Sequence, residues 1–138
     1  MPAEHGGVEC QKPEPRKRAK ARQSRAEASV IQRVRAACVE RDGECRLAAT
    51  LFGRECFGAS EWAHMGEKRR YKTRGLPPEE RHSTVWTCQL CSFHHTLYDD
   101  KGHPFDTIEI TALDSVKGAD GILRISRGSV SVLSVPRT

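Results

Sequence analysis

Apolar residues recur at Val30, Ile31, Val34, Cys38 and Val39 within "AEASVIQRVRAACVER". That spacing makes one stripe on a helix and predicts a helix over residues 26–41. Ser24 or Ser29 is placed to cap it, and Asp42-Gly43 stops it. After Gly58 the period changes from helical to two. "SEWAHM" alternates, so Trp62 and His64 share one face of a short strand while Glu61 and Ala63 take the other. "TVWTCQL" reads as a second strand on its β-branched and aromatic content. "SFHHTLYDDKG" reads as a short helix, stopped by Lys101-Gly102 and Pro104. From Phe105 the runs "FDTIEITAL", "GILRIS" and "SVSVLSV" predict two or three strands, with a hairpin across Arg127-Gly128. The fold class expected is α+β, with an N-terminal helix, a central strand–strand–helix core and C-terminal β-strands.

Three segments follow from the pattern. Residues 1–26, centred on "KPEPRKRAKARQSR", are expected to be a disordered basic arm, either a solvated tail or a phosphate-binding arm. Residues 27–104 form the core. Residues 105–138 are a β-strand extension. Between the two core strands lies a charged loop over residues 67–82, with a Pro77-Pro78 pair.

Composition narrows the chemistry. At 138 residues, with 37% hydrophobic and only 6% aromatic residues, the chain suits one domain with a thin core. Such a core gains from a metal or disulfide staple. No apolar run is long enough to span a bilayer, and the N-terminus has no apolar signal region, so a cytoplasmic location is expected. In a reducing compartment the six cysteines read as metal ligands or free thiols rather than disulfides. The net charge of +5 points to a polyanionic partner, nucleic acid first.

The densest chemistry lies in "TCQLCSFHHTLYD", residues 87–99. Zinc favours four ligands supplied as two short-range pairs. Cys45 and Cys56, brought together by a turn at Gly53, make a first pair. The second has two registers, Cys88-x-x-Cys91 and Cys91-x-x-His94. Cys38 falls on the apolar stripe and reads as core, and Cys10 reads as a free thiol in the arm. His95 and Asp99, four apart, share one helical face. Such a pair suits a divalent hydrolytic ion with open positions for water and phosphate.

Taken together, "RDGEC", "CFGASEWAH", "KTRGLPPEERH" and "LCSFHHTLYD" resemble the HNH endonucleases, the ββα-metal nucleases, in the small form found in phages and prophages. The resemblance covers about residues 38–100 and implies a zinc-stapled ββα-metal core. It selects the second register, because His95 directly after His94 can fill the motif's last histidine. The implied zinc ligands are then Cys45, Cys56, Cys91 and His94, with Cys88 left as a strand residue or spare thiol. His64 takes the place of the general base. His95 and Asp99 hold the catalytic Mg²⁺, Mn²⁺ or Ni²⁺. The implied activity is hydrolysis of DNA phosphodiesters, leaving 5′-phosphate and 3′-hydroxyl ends, in a bacterial host cell and with a phage terminase as a partner.

The loop residues Lys68, Arg69, Arg70, Lys72 and Arg74 are expected to contact DNA phosphates. Two departures stand out. Ala63 occupies the place before the base, where the family often has a metal-binding Asp. The motif's Asn is missing, since the chain contains no Asn. Trp86 or Thr87 stands near its place, and His82 is the substitute considered, through a hydrogen bond to a backbone carbonyl. A second reading is a zinc-stapled DNA-binding module without catalysis. A third is a structural zinc ribbon that binds protein.

Overall fold

The computed structural model describes residues 15–66, 76–99 and 106–137. The fold is α+β, built from helices and two antiparallel sheets. Helix α1 (Arg16–Asp42) is far longer than its apolar stripe. Residues 16–26, expected to be disordered, are therefore helical. Ala, Arg, Lys and Gln are strong helix formers, and they extend a helix already nucleated and packed further along. Ser24 and Ser29 lie inside it rather than at its start, which follows Pro15; Gly43 is the C-cap.

Strand β1 (Ser60–His64) pairs antiparallel with β2 (Thr87–Cys91), placing Ser60 opposite Cys91 and His64 opposite Thr87. Two short elements precede β2. Helix α2 (Pro78–Arg81) occupies part of the predicted loop, with Pro at its first position and Glu79 and Glu80 in its first turn. Thr84–Trp86 then form a 3₁₀ turn in which Ser83 Oγ accepts from Val85 N at 3.1 Å. This cap delays the predicted second strand to Thr87. Helix α3 (Ser92–Asp99) follows β2 without a loop.

Strands β3 (Ile108–Ala112), β4 (Leu123–Arg127) and β5 (Val130–Ser134) form an antiparallel meander in that order, with Arg127 opposite Val130 across the expected hairpin. Alternation buries Ile108, Ile110, Leu123 and Ile125, which join Leu47, Leu90, Leu97 and Ala63 in one core. The C-terminal strands thus complete the core. A smaller cluster packs Val30, Val34 and Cys38 of α1 against Trp62. The β1–β2 hairpin lies between these layers, with Trp62 and His64 toward α1 and Ala63 toward the main core.

Candidate functional site

Cys45, Cys56, Cys91 and His94 converge, with their ligand atoms all within 4.8 Å of one another. Local structure explains each position. Cys45 follows the end of α1. Thr50 Oγ1 accepts from Phe52 N at 3.2 Å and starts the turn Leu51–Glu55, which brings Cys56 back. Gly53 allows that return, because a Cβ there would strike the carbonyl oxygen of Ala48. Cys91 ends β2, and His94 is the third residue of α3.

His94 Nδ1 lies 3.6, 3.7 and 3.2 Å from the sulfurs of Cys45, Cys56 and Cys91. Tetrahedral zinc, with bonds of about 2.3 Å to sulfur and about 2.0–2.1 Å to nitrogen, requires S···N edges of ~3.6 Å. The donors therefore fit a metal such as zinc. Burial pushes His94 toward the neutral form that ligates. Burial, followed by the neighbouring Cys45 and Cys91, holds the Cys56 thiol up at about 12, a strain that a dication would relieve. Nε2 of His94 is buried without a hydrogen-bond partner, with Glu55 Oε2 at 4.0 Å. Metal-ligating imidazoles commonly direct their second nitrogen at a carboxylate in this way. Cys88 is fully buried on β2 outside this cluster, so the Cys91-x-x-His94 register is the one that converges.

About 100° of helical phase separates His94 from its neighbour. His95 points into a shallow depression of about 270 Å³ lined with Glu61, Thr96 and Asp99. Its Nε2 lies 2.8 Å from Asp99 Oδ2, and its Nδ1 lies 2.7 Å from Glu61 Oε1. Ser92 Oγ donates to Glu61 Oε2 at 2.9 Å and fixes that carboxylate. The hydrogen bond to Asp99, opposed by burial and aided by Glu61, raises the His95 pKa above its usual value. Glu61 was read from sequence only as facing away from Trp62. Its position on the opposite face from His64 is what brings it to α3.

His64 stands at the end of β1. Its Nε2 is 2.9 Å from His82 Nδ1, and His82 Nε2 is 2.9 Å from Glu27 Oε1 on α1. His82 thus contacts the imidazole of His64 itself, in place of the backbone carbonyl expected. With both rings neutral, the Glu27 carboxylate requires the hydrogen on His82 Nε2. His82 Nδ1 then accepts from His64 Nε2–H, and His64 Nδ1 keeps its lone pair. Burial first, then the charges of His82 and Arg81, lower the His64 pKa to about 4. Trp62 packs edge-on to the ring at 4.6 Å between centroids. The charges of Asp99 and His95 act on His64 as well, in opposite senses.

No family model matches the chain, and neither does any curated protein or solved structure.

Glu27 was also missed. The signal was available: residues 27, 30, 34, 38 and 41 form one stripe, and a charged residue in line with Val30, Val34 and Cys38 must face buried neighbours. Lys68, Arg69, Arg70, Lys72 and Arg74 lie outside the described residues, as does Cys10. Among the described residues, no helix is long and apolar enough to cross a membrane.

Proposed function

We propose that the protein is a metal-dependent DNA endonuclease of HNH type, with β1, β2 and α3 as a ββα-metal core and a structural zinc on Cys45, Cys56, Cys91 and His94. The observation that carries this reading is a pair of oriented histidines on packed elements: His64 at the end of β1, hydrogen-bonded through His82 to Glu27, and His95 on α3, paired with Asp99 and tied to β1 by Glu61. His95 Nε2 and Asp99 Oδ2, 2.8 Å apart, match neighbouring corners of an octahedral site, whose edge is ~3.0 Å at bond lengths of about 2.1 Å. Glu61 would then hold the Nδ1–H of His95 and fix its tautomer, while Ala63 leaves the family Asp's place on the metal unfilled. A Mg²⁺, Mn²⁺ or Ni²⁺ ion held there supplies Lewis acidity toward the phosphate and its leaving oxygen.

The chain's own residues account for the proton. His64 Nδ1 takes it from a water aligned with the scissile phosphorus. His82 stabilises the resulting imidazolium by accepting from Nε2, and Glu27 stabilises His82. These two are positioning residues and substitute for the missing Asn. The water oxygen bonds to phosphorus as the P–O3′ bond breaks, the departing O3′ takes a proton from solvent, and His64 returns its own to solvent, leaving 5′-phosphate and 3′-hydroxyl ends.

The test is cleavage of supercoiled plasmid by zinc-loaded protein with each ion in turn. Nicking or linearisation is expected, with losses of about 10²–10⁴-fold in His64→Ala and abolition in His95→Ala. Cutting that persists in both variants overturns the reading.

A second reading is favoured by one feature: both nitrogens of His95 already face carboxylates, an arrangement that holds a proton as readily as a metal. The protein would then be a zinc-stapled DNA-binding module. Duplex binding without cleavage under any ion selects it.

A further inference from the structure

The projecting half of α1 is a second feature with a chemistry of its own. Residues 16–26 carry Arg16, Lys17, Arg18, Lys20, Arg22 and Arg25 and no acidic side chain. Apart from Ala they contain no apolar side chain, so no face of this segment suits insertion into lipid. Arg16, Lys17, Arg18 and Lys20 are exposed and have no ion-pair partner among the described residues.

Local electrostatics oppose this half-helix. Its first turn holds no acid, its N-cap is Pro15 without a side-chain hydrogen bond, and the cations sit at the positive end of the helix dipole. Arg16 and Lys20 are four apart, as are Arg18 and Arg22, spacings at which like charges repel. A polyanion along the helix reverses the sign of each of these terms.

Position names the polyanion. Arg16 and Lys20 lie eleven and seven residues before Glu27, on the same helical face. That face presents Glu27 to His82 and through it to His64. The eleven residues span about 16 Å, the rise of roughly five base pairs of a duplex. We propose that the N-terminal half of α1 is a duplex-DNA arm, which grips the phosphates flanking the strand held at His64. The inference rests on DNA being the ligand of that site, and it does not require cleavage.

The experiment uses the full zinc-loaded chain and a short DNA duplex, with binding followed by fluorescence anisotropy from about 50 to 200 mM salt. The variant is Arg16→Ala/Lys17→Ala/Arg18→Ala/Lys20→Ala, which keeps helix propensity. Its affinity should fall at least about tenfold, and the slope of log K against log salt should shrink by about 2–4. An Arg16→Lys/Arg18→Lys variant should retain both. Unchanged affinity and slope in the alanine variant overturn the arm, even where the wild type cuts plasmid. Loss of binding in that variant alongside a wild type that never cuts upholds the arm and overturns the nuclease. Binding of the wild type to phosphatidylserine vesicles but not to duplex overturns DNA as the occupant.

Discussion

His64 owes its chemistry to where its ring is kept. An exposed imidazole divides its time between protonation states near neutrality, whereas burial beside His82 and Arg81 brings this one to about 4. A titration of the imidazole by NMR should show a midpoint near 4; a midpoint above 6 would sink the assignment of His64 as a base kept neutral in the resting protein. The same shift has a consequence for stability. The unfolded chain takes up this proton near pH 6.5 and the folded chain only near 4. Between those values the unfolded state binds more protons, so the His64 contribution to stability declines as pH falls from about 6.5 to about 4. Glu27→Gln removes the carboxylate that sets the His82 tautomer. Turnover should then drop by about 10- to 100-fold, a range found for groups that orient a functional imidazole. KM should be nearly unchanged, and an equal rise in KM would show that Glu27 acts through folding or binding instead.

At the level of elements, the direct passage from β2 into α3 does most to assemble the site. With no loop at this junction, Cys91, His94 and His95 are carried by one rigid segment. His94 turns inward to the sulfurs, and His95, about 100° further round, turns to Glu61 and Asp99. A metal at the first site therefore clamps the backbone that positions the second. Zinc analysis should find one ion per chain, lost in Cys91→Ala and kept in Cys88→Ser. Chelation should lower Tm by about 10 °C or more, as expected when a structural zinc contributes several kcal/mol. Loss of zinc in the Cys88 variant would show that the other register is in use.

Across the whole molecule, a buried ionic hub joins α1 to both sheets. Arg41 donates to Asp42 at 2.7 Å, to Asp120 at 2.8 Å and to the carbonyls of Thr84 and Thr87 at 2.7 Å. Arg46 donates to Ser134 Oγ at 2.9 Å, to the carbonyls of Ala119 and Gly121 at 2.6 Å and to Asp42 at 3.1 Å. Asp42 also accepts from Gln89 N at 3.0 Å. Gly118, with φ of 54°, lets the 3₁₀ turn Gly118–Asp120 press against the Val85 carbonyl, where a Cβ would collide. Such a hub is costly to break from one side, since the remaining charge stays buried. Arg46→Met should cost about 3–5 kcal/mol in urea unfolding of the zinc-loaded protein; a change under about 1 kcal/mol would show that the C-terminal strands are held by apolar packing alone.

Much of this was legible in the sequence, because periodicity and ligand spacing are local. The stripe of Val30, Val34 and Cys38, the alternation in "SEWAH" and the hairpin at Arg127-Gly128 are each properties of a few neighbouring residues, although Val39, expected on that stripe, is exposed. The choice between Cys88 and His94 was already less local: spacing left both open, the family resemblance favoured His94, and the convergence of Cys45 and Cys56 on Cys91 and His94 belongs to the fold. What tertiary structure alone decided is which distant groups share a desolvated space. Glu27 meets His82 across 55 residues, and Arg46 meets Ser134 across 88. No local period encodes such pairs, because they arise only when packed layers exclude water and oblige each buried polar atom to find a partner.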